Sequence, residues 1–131
     1  MSEENVEVVR RATDTFNRSG EPDFSLLDPD VVFDTTGVVF DRAVYQGHDG
    51  VRQWLANQRE VWASQRFEEE ELIVVGDDRV LASFRFVSVG RDGIETVAHF
   101  ATITTIHAGK ITQMQAFLNK AEALEAAGQS E

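Results

Sequence analysis

The final third of the chain is its most constraining feature. From Gly90 to Gly128 two long runs of alternating residues meet at Gly109-Lys110, and a short amphipathic segment follows them. Alternation with period two sends successive side chains to opposite faces of a strand, so this stretch predicts paired strands and a terminal helix. Two helix-period segments and an acidic hairpin precede it. That order predicts an α+β fold in which a cone-shaped, curved antiparallel sheet wraps around two to three N-terminal helices, with a short C-terminal helix. A bent sheet closed by helices encloses a conical cavity, and cavities of this kind are default ligand sites.

The individual elements follow from local signals. Val6, Val9, Ala12, Thr13 and Phe16 recur at helical spacing, which predicts a first helix over Glu3 to Arg18, stopped by Asn17-Arg18-Ser19-Gly20. A helical turn is expected over Asp23 to Leu27, closed by Asp28-Pro29-Asp30. Val31-Val32-Phe33-Asp34 is a brief β-rich run, and Gly47-His48-Asp49 opens a second helix with apolar positions Val51, Trp54, Leu55, Val61 and Trp62. Strands are expected over Phe67 to Val75, Val80 to Val89, Ile94 to His107 and Ile111 to Leu118, with turns at Gly76-Asp77-Asp78 and Arg91-Asp92-Gly93. Asn119, with Glu122 three residues on, has the form of a capping box for the last helix.

Composition then limits function. A chain of 131 residues fits one domain, spanning 1–131. Its 23 acidic and 12 basic residues give a net charge of -11, without a clustered Lys/Arg stripe. Such a surface repels nucleic acid and anionic membranes, so neither is an expected partner. The absence of cysteine excludes disulfides, thiolate zinc sites and cysteine nucleophiles. No apolar run reaches the ~18 residues that cross a bilayer, and the acidic start is unlike a secretory signal. The expected location is cytoplasmic.

Several segments, in order along nearly the whole chain, carry a resemblance. They are Asn5-Val6-Glu7-Val8-Val9-Arg10-Arg11-Ala12, Leu27-Asp28-Pro29-Asp30-Val31, Tyr45-Gln46-Gly47-His48-Asp49-Gly50-Val51-Arg52, Gly76-Asp77-Asp78-Arg79-Val80 and Gly109-Lys110-Ile111. Together they resemble the SnoaL-like branch of the nuclear-transport-factor-2-like superfamily, which also contains ketosteroid isomerases and polyketide cyclases. The resemblance implies a cone-shaped fold, a deep pocket and a homodimer through the outer sheet face carrying Ala101 and Ile103. It does not fix an activity, because this fold hosts enzymes and binding modules alike.

Asp34 is the sharpest catalytic candidate. By that comparison it falls where ketosteroid isomerases place their carboxylate base, and a carboxylate beside apolar walls gains the proton affinity of a general base. The alternative is that Asp34 ends its strand and bonds to Thr35 or Thr36 in its own loop. The isomerases' oxyanion donors correspond to Ala12 and Thr102. Losing such a donor costs ~3 kcal/mol or more, so steroid isomerisation is disfavoured and the Thr102 hydroxyl is a weak substitute. Epoxide hydrolases of this fold use two aspartates bridged by an arginine. Here Arg85 could meet Asp34 across the cavity, or could face outward against Glu68 to Glu71. Strand parity decides between these, and one bulge reverses it.

The remaining candidates concern binding. His48 is expected as a helix cap or surface residue. His99 and His107 alternate with the set Phe100, Thr102, Thr104 and Ile106, which the comparison turns toward the pocket. The histidines then lie outside it, and their spacing matches no metal motif. Trp54, Phe100, Thr104, Met114, Ala116 and Leu118 are expected to line the cavity, with Tyr45 near its mouth. The leading expectation is a cofactor-free pocket for a small hydrophobic molecule, with proton transfer or cyclisation on a carbonyl compound if Asp34 enters it. The alternatives are a non-catalytic binding or dimerisation module, and water activation by Asp34 with Arg85.

Overall fold

The computed structural model describes residues 2–38 and 43–128. Helix α1 spans Ser2–Ser19, with Glu3 and Glu4 in its first turn and Arg18 in its last. Those charges oppose the partial charges at the helix ends. The helix stops at Gly20, whose φ of +80° closes the end with a 2.7 Å bond from its N–H to the Phe16 carbonyl. A 3₁₀ turn over Phe24–Leu26 is capped by Asp23, which accepts a bond from the Ser25 N–H at 3.0 Å.

The rest is a sheet interrupted by one helix: β1 (Leu27–Gly37), β2 (Val44–Gln46), α2 (Gly47–Val61), β3 (Trp62–Val75), β4 (Arg79–Gly90), β5 (Glu95–His107), β6 (Lys110–Phe117) and α3 (Lys120–Ala126). The six strands form one sheet in the order β2-β1-β6-β5-β4-β3. The α+β fold with a curved, unclosed sheet, helices against it and a short last helix is as expected. The pairing corrects the expected antiparallel sheet to a mixed one: β1 runs parallel to β6, while every other pair is antiparallel.

Two boundaries differ from the local signals. Asp28-Pro29-Asp30 does not close a turn; it lies inside β1, where the pairing with β6 shifts register between Leu27 and Val32. A proline without an N–H is tolerated where the ladder is already broken. Trp62 is not a helical position either. Its extended backbone (φ -114°, ψ 136°) ends α2 and begins β3 directly.

Register sorts the side chains onto two faces. On the inner face Val8, Val9 and Phe16 of α1 and Val51 and Leu55 of α2 pack on Leu27, Val31, Val80, Ile106 and Ile111. On the outer face α3 places Ala123, Leu124 and Ala127 against Val75, Leu81, Ala101 and Ile103. Asn119 starts α3 by accepting the Glu122 N–H at 2.8 Å, which is the expected cap. Arg79 ties down its far end with a 3.3 Å bond to the Ala127 carbonyl. This packing corrects the dimer surface expected at Ala101 and Ile103: they are 0% and 1% exposed, covered by α3 of their own chain.

One glycine is demanded by contact. A Cβ on Gly37 would stand 2.3 Å from the Ala116 carbonyl oxygen, so β1 approaches β6 closely only without a side chain there. No helix among the described residues is long and apolar enough to cross a membrane.

Candidate functional site

Three small side chains lie beside the cavity. Across the inner face Ala82, Thr102 and Ala116 are in register on β4, β5 and β6. Phe84 and Phe100 form the row on one side, and Val80, Thr104 and Met114 the row on the other. Helix α1 presents another small residue, Ala12, to the same space. Close packing leaves few voids larger than a water molecule. Small residues at neighbouring positions are one way to keep such a space.

The result is a cavity of about 110 Å³. Helix α1 contributes Val9, Ala12, Thr13 and Phe16; α2 contributes Val51 and Trp54. The sheet contributes Leu27, Val31 and Phe33 of β1, Phe67 of β3, Phe84 of β4, Thr102 and Thr104 of β5, and Ile111 and Met114 of β6. Pro22 completes the lining. Aromatic rings stiffen the walls. Trp54 stands edge-on to Phe33 at 5.1 Å, and Phe67 contacts Phe16 at 5.0 Å and Phe84 at 5.4 Å.

No lining residue carries an ionisable side chain. Apart from the Trp54 indole N–H, the polar side-chain groups are three threonine hydroxyls, and they differ in state. Thr13 already donates to the Val9 carbonyl at 3.0 Å within its helix. Thr102 and Thr104 are 5% and 2% exposed, and neither hydroxyl bonds to another described residue. No fully enclosed side-chain polar atom lacks a partner among the described residues, so these two oxygens open onto the cavity.

The residues singled out by sequence divide accordingly. Trp54, Thr102, Thr104 and Met114 line the cavity. Asp34 does not. Its neighbour Phe33 points in, so alternation turns Asp34 to the outer face, opposite Gln115 and Val44. There its carboxylate accepts bonds from the Thr36 N–H at 2.9 Å and the Thr36 hydroxyl at 2.6 Å, the loop-capping alternative. Arg85 is likewise outside, paired across the strands with Glu68 and hydrogen-bonded to it. Asp34 and Arg85 therefore do not meet across the cavity.

The other departures have equally local causes. Phe100 is on the inner face but stands behind the wall, 5.6 Å from Phe84 and 5.8 Å from Phe67. Ala116 is buried in the same row as Thr102, yet its methyl is too short to reach the space. Leu118 lies beyond the end of β6 and is 42% exposed. Tyr45 is buried rather than at a mouth: its ring lies tilted against Phe33 with centroids 6.2 Å apart, and its hydroxyl accepts from Asn57 at 3.3 Å. His48 is an internal tie, its Nε2 3.0 Å from the Leu27 carbonyl and its ring 5.3 Å from Phe24. His99 and His107 are exposed, with His99 Nδ1 3.5 Å from Glu70 on the outer face.

Glu68 is the hub of that face. Hydrogen bonds from Arg66, and then from Arg85, hold its carboxyl below the usual glutamate range. Of the lining residues that the sequence reading did not single out, Val31, Phe33, Phe67 and Phe84 were reachable by strand parity, and Val9 and Phe16 by the helical period of α1. Val31 and Phe33 share a face, as do Phe84 and Ala82.

The comparisons with known proteins match this architecture. A family model for the SnoaL-like domain covers residues 9–114. Among curated proteins, none matches the sequence. Solved structures do. TerC, co-crystallised with polyporic acid, is 24% identical with a TM-score of 0.77, over 96% of this chain and 99% of that one. An NTF2-like protein of Burkholderia pseudomallei is 18% identical with a TM-score of 0.75, over 93% and 95% of the two chains. A protein of ketosteroid-isomerase-like fold from Catenulispora acidiphila, in complex with trimethylamine, is 15% identical with a TM-score of 0.71, over 95% and 94%. At these identities the likeness is one of fold.

Proposed function

The chain belongs to the SnoaL-like domain family, and from that premise we propose that it binds a small hydrophobic molecule in the cavity between α1, α2 and the inner sheet face. The carrying observation is a space of about 110 Å³ whose walls are apolar and aromatic, the polar groups of its lining side chains being threonine hydroxyls and the Trp54 indole N–H. Removing apolar surface from water is worth ~25 cal/mol per Å². A molecule seated against Trp54, Phe33 and Met114 gains that from most of its surface. TerC with polyporic acid and the Catenulispora protein with trimethylamine are small-molecule complexes of the same fold, which supports the reading by analogy.

The position of Asp34 speaks for binding without acid–base chemistry by that residue. A general base has to come within hydrogen-bond reach of the proton it removes. Asp34 lies on the opposite face of the sheet and is engaged with Thr36. Water activation by Asp34 with Arg85 meets the same obstacle.

Titration of toluene, followed by calorimetry and by the fluorescence of Trp54, tests the proposal. Saturable one-to-one binding is expected. It should be lost in Ala12→Leu, which fills the space from α1 without adding a polar group. A folded wild-type protein that shows no saturable binding overturns it.

A further inference from the structure

The two cavity-facing hydroxyls say more about the ligand than hydrophobicity does. Thr102 and Thr104 sit two residues apart on the inner face of β5, a separation of ~6.7 Å along the strand. Both are more than nine-tenths buried, and neither is hydrogen-bonded to another described residue. The β5 backbone is paired on both sides, by β4 and by β6. Hydroxyl oxygens that open onto a mostly apolar space, with no protein partner, can complete their hydrogen bonds only with what fills that space. Two of them on one wall form a recognition element for an occupant.

Size and charge narrow that occupant. An apolar cavity of ~150 Å³ accommodates benzene, so a space of about 110 Å³ takes one ring at most. No lining residue can neutralise a charge, and burying an unpaired charge is prohibitive. The chain's net charge of -11 repels an anion before it arrives.

We propose that the cavity selects a neutral, single-ring compound bearing two oxygen substituents, one engaging Thr102 and the other Thr104. The assignment rests on the binding function proposed above and specifies its ligand class. A threonine hydroxyl both donates and accepts, so phenolic and keto oxygens are each accommodated. The aromatic walls supply the ring's contacts through Trp54, Phe33, Phe67 and Phe84. Ala82 and Ala116, in register with Thr102, leave room beside its hydroxyl.

The experiment is a ligand series on wild type: toluene, phenol, resorcinol, and benzoate as the charged control. Affinity should rise by roughly three- to tenfold with each hydroxyl added, and benzoate should not bind. Thr102→Val and Thr104→Val keep the branched shape and remove the oxygen. Each should reduce resorcinol to the affinity of phenol, and the double variant should reduce it to that of toluene. If toluene binds but resorcinol binds no tighter, the ligand class is wrong while the binding function stands. The class is equally wrong if benzoate binds as well as phenol, or if folded valine variants keep the resorcinol preference. Absence of toluene binding removes both proposals together.

Discussion

The inner and outer faces of the sheet are built from alternating residues of the same strands, yet they solve different problems. Phe33 lines an apolar cavity, while Asp34 beside it caps a loop on the other side. Phe84 is a cavity wall, and Arg85 beside it joins Glu68 and Arg66 in a half-exposed ionic cluster. The inner face keeps ionisable groups out of its cavity. The outer face combines those charges with a second small core beneath α3. In this molecule chemical identity is assigned by strand parity, so residue type alone is a poor guide to which groups meet.

The two cores offer the largest effect with which to test that division. Ile111 on the inner face and Leu81 on the outer face are both 0% exposed. Ile111→Ala and Leu81→Ala should each destabilise the fold by ~2–5 kcal/mol in urea denaturation. Only Ile111→Ala should alter toluene affinity, because only Ile111 borders the cavity. Equal changes in affinity would mean that the faces are coupled through the sheet.

Trp54→Ala probes the inner face more gently. It removes one wall of the cavity without touching the sheet ladder. Toluene affinity should fall roughly tenfold, ~1.4 kcal/mol. An unchanged affinity in a folded variant would place the ligand elsewhere.

Asn119→Ala acts on the outer face alone. Loss of a side-chain cap costs ~1 kcal/mol, and here the cap starts the helix that covers Ala101 and Ile103. Sedimentation should show more self-association in this variant than in wild type, as the apolar strip beneath α3 opens. Binding in the cavity should be unaffected.

How much of this was legible depends on whether the signal was local. Helices α1 and α3 and the hairpin strands announced themselves by period and caps; alternation along β5 grouped Thr102 with Thr104, and the family resemblance turned that group toward the pocket. The pairing of β1 with β6 had no local signal, since parallel partners are joined through distant chain. For the same reason Asp28-Pro29-Asp30 had the local form of a turn. Asp34 had two readings, a base placed by the family pattern and a cap of its own loop; its neighbours Val31 and Phe33 claim the inner face, which sends it outward to the loop. Ala101 and Ile103 were assigned to a partner when Ala123, Leu124 and Ala127 already supplied an apolar stripe needing a surface. A cavity was expected from the order of elements; its lining was harder to foresee. That depends on which residues of neighbouring strands fall into one row, such as Ala82, Thr102 and Ala116, and register is a property of the whole sheet.

Asp34→Asn tests whether a carboxylate on the outer face bears on binding at all. The Thr36 bonds can be made to the amide oxygen, so stability should change by less than ~0.5 kcal/mol. Affinity for toluene and resorcinol should be the same as in wild type. A large loss of binding would return Asp34 to the cavity and undo the parity argument.

The smallest expected effect is the pH dependence of the Arg66–Glu68–Arg85 cluster. Its arginines lower the Glu68 carboxyl from its ordinary value of 4.5, so the folded state binds that proton less readily than the unfolded one. The cluster's contribution is therefore fully present above that value and is lost as the pH falls through the lowered folded value. Glu68→Gln should flatten the acid limb of a stability–pH curve below about pH 4.5 and leave the curve unchanged near neutrality. Because the groups are accessible to solvent, salt should shrink the difference further. The cavity has no titrating group in its lining, so toluene affinity should stay level across the same range for as long as the protein is folded. If affinity instead follows the protonation of Glu68, charge on the outer face governs space on the inner one, and the two faces act as one device.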